Sequence, residues 1–498
     1  MSLWEQIKPA RNTGRTPLTC YDFNVLQPRA RFLGLTLAVA VISAPAPSFS
    51  QARPAAATSA GPLAQAAPLA TKLLANGLQV VVFEDHSVPL VTVQLTIRNG
   101  SFTETPELNG LSHLYEHMFF KPNRVTREGA DYMRNIDQLG ISYNGTTREE
   151  ESEYYMTTTT PNFPVAMRFL RDSARYPSFD QKEFDQERQV VIGEIDRNLS
   201  NPYGVLGTEM NRRLFFQYPT RKTPLGTRET VTAATTEQMR LIQNRYFVPQ
   251  NAAVIVAGDV SPDAAFQVAQ ELWGDWARRS RDPFDEFPLV EHPPLPKSEG
   301  VLLKGPIQPI IIEVGWQGPS VGTDDIATYA ADVFSFILQQ PDSRFQRRLV
   351  DSGLVDGASL GYYTQRNVGP IQLQMRTTPD KARAAIRAAY DEIAHFTDPD
   401  YFTAEELESA KTNLEASDLF DREKPSEYAH TISFWWASAG LDYFRGYLSR
   451  LRGIGRPDIS RYVTSYIQGK PHVGLALLSD ESARASALTP DDLIGASK

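Results

Sequence analysis

His113, Glu116 and His117, in the run His113–Leu114–Tyr115–Glu116–His117, have the types and spacing of a hydrolytic metal site. Two histidines four apart project from one face of a helix, so both imidazoles reach one cation. Glu116 falls one turn after His113, beside the coordination position left open. The chain holds only seven histidines, which makes accident a weak explanation for this arrangement. Helical spacing between Leu108 and Lys121 agrees with it. Leu111, Leu114, Tyr115, Met118 and Phe119 form a stripe that must face a core, and the three polar groups are left to look into a cleft on the opposite side.

A catalytic zinc takes three protein ligands and keeps a place for water, so one more donor is required. His86, His292, His395, His430 and His472 stand in no helpful context. The better candidate is Glu194, in the segment FDQERQVVIGEID (184–196). On a helix, Glu187 and Glu194 share a stripe with Phe184, Val190, Val191 and Ile195. Two carboxylates in an apolar face are costly unless a cation or hydrogen-bond donors compensate them. Zinc compensates Glu194, and Glu187 is placed to orient a ligand or substrate from behind the metal. The competing reading of this segment is an acidic, solvated helix face.

The chain that must position these groups has 498 residues, 41% hydrophobic and 22% charged, too long for one ordinary core and too apolar to stay unfolded. Its formal charge of −9 and lack of a long basic block make nucleic acid a poor partner. The apolar run Phe32–Ile42 follows Arg29 and Arg31 and precedes small residues up to Ala52. That order reads as a secretory signal over residues 1–52 with an unusually long lead-in, and it predicts export, in a bacterium to the periplasm. A membrane anchor is the competing reading, but the run is short and no span is expected in the mature chain. Cys20, the only cysteine, falls in this leader, so the exported protein forms no internal disulfide. Residues 53–70 are Ala/Pro-rich and read as a tether.

Strand-like runs at Leu78–Phe83 and Leu90–Ile97 precede helical spacing at 108–121, around Tyr132–Leu139, at Asn162–Ser173 and at Asp180–Leu199. Strands and helices without regular alternation predict an α+β fold. A stretch with five prolines between Asp282 and Gly300 divides residues 71–281, which carry the metal motif, from residues 301–498, which carry none. The two parts echo each other. A helix into Tyr246–Phe247 and then NAAVIVAGD closes the first, and a helix into Tyr466–Ile467 and then HVGLALLSD closes the second. A duplicated α+β domain joined by a Pro-rich linker is the expectation.

GLSHLYEHMFFKPN (110–123), then ERQVVIGE (187–194) with Glu194 77 positions after His117, resembles the inverted-motif zinc peptidases of the insulinase/pitrilysin family. The likeness is to the shorter bacterial and mitochondrial-processing type. It extends through LANGLQVVV near Leu74, NGTTREEESEYY from Asn144, and Thr223 to Ser261. The resemblance implies two homologous domains, each a mixed, mainly antiparallel sheet with helices packed on it. It implies one zinc ion per chain, held by His113, His117 and Glu194, with Glu116 as general base in peptide hydrolysis. Asn144 matches the family's asparagine on a strand edge that pairs with substrate backbone; locally it also reads as a turn residue before Gly145.

The second half departs from the family's pattern. In SRFQRRLVDSGLVDG (343–357), Val350 stands where a substrate-binding Arg falls, and Asp356 stands near a Tyr that stabilises the oxyanion. Tyr362 and Tyr363 read as strand residues rather than replacements, and Trp435–Trp436 as core rather than interface. The implied protein is a zinc metalloendopeptidase, the catalytic subunit of a heterodimer whose homologous partner supplies the missing pair. The rival is a non-catalytic assembly or chaperone-like subunit that retains the fold.

Overall fold

Apolar residues at alternate positions of Leu90–Ile97 send Val91, Val93, Leu95 and Ile97 into one core. This segment is the middle of a six-stranded sheet in the computed structural model, which describes residues 68–126, 136 and 139–496. The leader with Cys20, most of the tether and most of the helix expected around Tyr132–Leu139 lie outside the described residues.

The first sheet contains β1 (Leu69–Leu73), β2 (Gln79–Glu84), β3 (Leu90–Ile97), β4 (Ser142–Thr147), β5 (Ser152–Thr159) and β6 (Ala252–Gly258), in the order β1-β2-β6-β3-β5-β4. Only β2 and β6 run parallel. The second contains β7 (Glu299–Lys304), β8 (Ile310–Gln317), β9 (Gly357–Tyr362), β10 (Pro370–Thr377) and β11 (Val473–Leu478), in the order β7-β11-β8-β10-β9, with β7 and β11 parallel. Substituting β7, β11, β8, β10 and β9 for β2, β6, β3, β5 and β4 reproduces the order of the first sheet. The echoing segments are the matching strands β6 and β11, and the α+β duplication is borne out.

Five helices organise the site and the seam: α1 (Leu111–Phe119), α2 (Phe163–Arg175), α3 (Gln181–Ser200), α4 (Pro202–Leu214) and α5 (Pro425–Ser438). α1 and α2 pack on one face of the first sheet, and α3 packs against α1. Its other face, with Val81, Phe83 and Ile255, is covered from the second half by Tyr428, Ile432 and Trp436 of α5. Reciprocally, Leu206, Met210 and Leu214 of α4 cover Ile311, Leu475 and Leu477 of the second sheet. Each half thus lends a helix to the sheet of the other, and Trp436 is packing within the chain.

The two hairpin turns β4–β5 and β9–β10 meet at this seam. Glu150 accepts from the backbone N–H groups of Arg366 and Asn367 at 2.9 and 3.1 Å. Lys222, buried, donates to the side chain of Gln365 and to the carbonyls of Asn367 and Val368 at 2.5 and 2.8 Å. The Pro-rich stretch forms one short helix, Pro283–Glu286, and then runs without regular structure to β7.

Candidate active site

α1 is fixed in place by its start. Gly110 caps it with φ +84°, and its Cα presses on Gly226, where a Cβ would meet the Gly110 Cα at 2.5 Å. The buried Glu104 carboxylate accepts from the N–H groups of Gly110 and Ser112 at 2.8 and 2.7 Å. It thereby satisfies donors that the first turn leaves open. Rotation about the axis is set by the expected stripe: Leu111, Leu114, Tyr115, Met118 and Phe119 are all buried. Phe119 stacks on Tyr154 with centroids 3.7 Å apart. His113, Glu116 and His117 are left on the cleft side, half-buried, as the pattern requires.

α3 starts at Asp180, whose side chain accepts from Lys182 and Glu183 N–H. Phe184, Val191, Ile192 and Ile195 make its buried stripe, whereas Val190, assigned to that stripe from the sequence, is 46% exposed. At about 100° per residue Val190 falls roughly 120° from Phe184, and Glu187 and Glu194 fall roughly 60–80° away, at the stripe's edge. That edge faces α1.

His113, His117 and Glu194 come together there, with one ligand atom from each within 4.8 Å of the others. Both imidazole Nε2 atoms lie near one Glu194 oxygen, at 3.6 and 3.5 Å. Those separations are too long for good hydrogen bonds and close to the ~3.4 Å between ligands that share a tetrahedral zinc at about 2.1 Å. Among the described residues this is the one such group of His, Cys, Asp or Glu. The donor set therefore fits zinc. Glu187 and His117 Nδ1 are 3.0 Å apart, and Lys121 holds the other Glu187 oxygen at 2.5 Å. That pair meets the ring at Nδ1, leaving Nε2 to face Glu194.

The charges follow from burial and neighbours. Burial, with His117 adding to it, pulls the His113 pKa down to about 3. Burial also acts against a charged His117, but the hydrogen bond to Glu187 and the negative charges of Glu194 and Glu116 close by outweigh it and push this pKa up to about 10. Burial lifts Glu116 to about 7. One Glu116 oxygen has no hydrogen-bond partner among the described residues.

Glu116 lies against β4, where a Cβ on Gly145 would meet its Cγ at 2.7 Å, so only glycine fits there. β4 ends the sheet order, its outer edge pairs with no other strand among the described residues, and Asn144 lies exposed on it. A cavity of about 310 Å³ joins these parts, with His113, Glu116 and Glu194 at one end and Gly145–Thr147 along one wall. Thr223–Glu229 and α3 residues beyond Glu194 form the rest of the wall. Glu104, Gly145 and Lys121 carried no sequence signal, because their roles depend on which segment the fold brings alongside.

The second half supplies no replacement for the absent Arg and Tyr at the expected positions. Val350 packs half-buried on its own core, and Asp356 pairs with Arg376 at 3.2 Å. Tyr362 ends β9 with its hydroxyl donating to the Pro319 carbonyl at 2.9 Å.

Residues 79–227 match the family model for insulinase, peptidase family M16, and residues 233–414 match that for the M16 inactive domain. Together the matches span more than half of the chain. The zinc protease YmxG of Bacillus subtilis is 24% identical over 344 residues, 69% of this chain and 81% of that protein. Among solved structures, a protease from Helicobacter pylori superposes with a TM-score of 0.75 at 20% identity, covering 82% of this chain and 99% of that one. The periplasmic protease PqqL from Escherichia coli superposes with a TM-score of 0.66 at 18% identity, over 88% of this chain and 51% of its own.

Proposed function

We propose, from the premise that this chain belongs to the insulinase family, peptidase family M16, and is a zinc metallopeptidase, that His113, His117 and Glu194 hold the ion and Glu116 is the general base. The observation that carries this reading is the convergence of two imidazoles and a carboxylate within 4.8 Å, beside a half-buried Glu116 that lines the same cavity. A zinc ion held by His113, His117 and Glu194 would supply Lewis acidity for a peptide carbonyl and for water. Glu116 takes the proton of the attacking water at its unpartnered oxygen and returns it to the leaving amine. Glu187 fixes the His117 ring, and β4 receives the peptide as an added strand beside Asn144, through main-chain hydrogen bonds. Glu116→Gln is expected to keep one zinc per chain by elemental analysis and to lower peptide turnover about 10²- to 10⁴-fold. Near-normal cleavage by that variant refutes the assignment.

The finer reading is the catalytic subunit of a heterodimer. Val350 and Asp356 offer neither cation nor hydroxyl, so a homologous chain supplies both to the developing oxyanion. Purified alone, the protein is expected to bind zinc and cleave poorly until its partner is added; full turnover by the isolated monomer rules this out. Export agrees with the reading of residues 1–52 and with the periplasmic location named for PqqL. No helix among the described residues is long and apolar enough to cross a membrane.

A further inference from the structure

The cavity beside the metal ligands has a chemistry of its own. Its wall beyond Glu194 is built from Ile195 and Leu199 of α3 and from Pro224 and Leu225 of the facing loop, so it embraces methylene groups. Two arginines line it as well. Arg228 is committed, since its guanidinium pairs with Asp196. Arg197 makes no side-chain hydrogen bond or close ion pair among the described residues, its charge acting only at longer range on Glu194.

The carboxylates on the same wall are engaged elsewhere. Glu194 belongs to the metal group. Glu229 is turned to Thr227 and to its own backbone at the start of the short helix Arg228–Thr232. Arg197 stands three residues, about one turn, beyond Glu194 on α3, so its reach begins next to the reacting bond. A peptide laid along β4 sends alternate side chains to one side of the strand, and Gly145–Thr147 form the wall opposite α3.

We propose that Arg197 makes this cavity a carboxylate-binding subsite, selecting peptides that place an acidic group, glutamate above all, next to the cleaved bond. The planar guanidinium forks onto a carboxylate while the apolar wall holds the stem that carries it. Two sources share this chemistry: an acidic side chain and the free C-terminus of a short peptide. The side chain is the expected one, because the edge of β4 continues past the cavity as Asn144 and Tyr143. This proposal rests on the peptidase reading and names its substrate class.

The test is binding, which separates it from turnover. Full-length, zinc-loaded Glu116→Gln protein is titrated with fluorescein-labelled peptides of uncharged sequence carrying one central Glu, Gln or Lys, each with a free or an amidated C-terminus. The Glu peptide is expected to bind about tenfold tighter than the Lys peptide. Adding Arg197→Gln should level the series and Arg197→Glu should invert it, with zinc content unchanged. A preference that follows the free C-terminus and disappears with Arg197→Gln assigns the site to chain ends. The same ranking in all three backgrounds overturns the proposal, as does loss of zinc from the Arg197 variants without a change of ranking. Absent cleavage by protein with Glu116 intact even after its homologous partner is added, beside a clear Glu preference, counts against the peptidase reading alone.

Discussion

His117, proposed as a zinc ligand, is gripped from two sides. Its Nδ1 faces Glu187 at 3.0 Å, which leaves Nε2 turned to Glu194 and His113. Glu187 is itself positioned by Lys121 at 2.5 Å. Removing the carboxylate frees the ring and its tautomer, so Glu187→Ala is expected to weaken zinc binding 10- to 100-fold, read by chelator competition, without loss of helix content. Unchanged affinity would reduce Glu187 to a surface ion pair. His113, Glu116 and His117 were legible because one short period marks both the buried and the cleft-facing sides of α1. Glu104, in contrast, caps that helix from beyond its own turn, and Gly145 matters only because β4 passes over Glu116.

At the level of elements, periodicity was a good guide to which face is buried and a poor one to what buries it. Val190 was drawn into the stripe of α3 by its neighbours, although its angle turns it to solvent. β8 is a sharper case. Its residues Ile310, Ile312, Val314 and Trp316 enter the second core, while Ile311 and Glu313 face the other side, which α4 covers. Glu313 is therefore buried, with Gln372 donating to it at 2.8 Å, and burial pushes its pKa up to about 7. The folded protein then binds a proton that the unfolded chain has lost between pH 4.5 and about 7, so stability falls as pH rises through that window. Glu313→Gln removes this slope. Thermal unfolding should show the variant and the parent alike at the acid end. At the alkaline end the variant should be more stable, by at most roughly 3 kcal/mol. Parallel profiles across the window would show that Glu313 is ionised throughout.

Across the whole molecule, the duplication was readable because β6 and β11 are central strands, apolar on both faces and so conspicuous in both halves. The exchange of helices was not, since an amphipathic α4 or α5 looks the same whichever sheet it covers. The exchange has a mechanical consequence at the seam. Lys222 immediately precedes the loop that walls the cavity from Thr223, and Glu150 lies three residues beyond β4, which walls it from the other side. Both residues grip one turn of the second half, Gln365–Val368. The catalytically silent half thus holds the two cleft walls at a set distance. Burial pulls the Lys222 pKa down to about 8 while Glu150 and Glu149 push it back up, so the charge is retained near neutral pH. Lys222→Met leaves the buried Gln365 side-chain oxygen and the half-buried carbonyls of Asn367 and Val368 without this donor and takes one of its two cationic neighbours from Glu150, at an expected cost of about 3–5 kcal/mol. Zinc content should not change, because no metal ligand touches the seam. Assayed well below its lowered melting temperature, the variant should show a raised KM for peptides and a smaller change in kcat, since the walls bind the chain while Glu116 stays in place. A lowered melting temperature with KM unchanged would mean that the turn only ties the halves together and has no part in shaping the cleft.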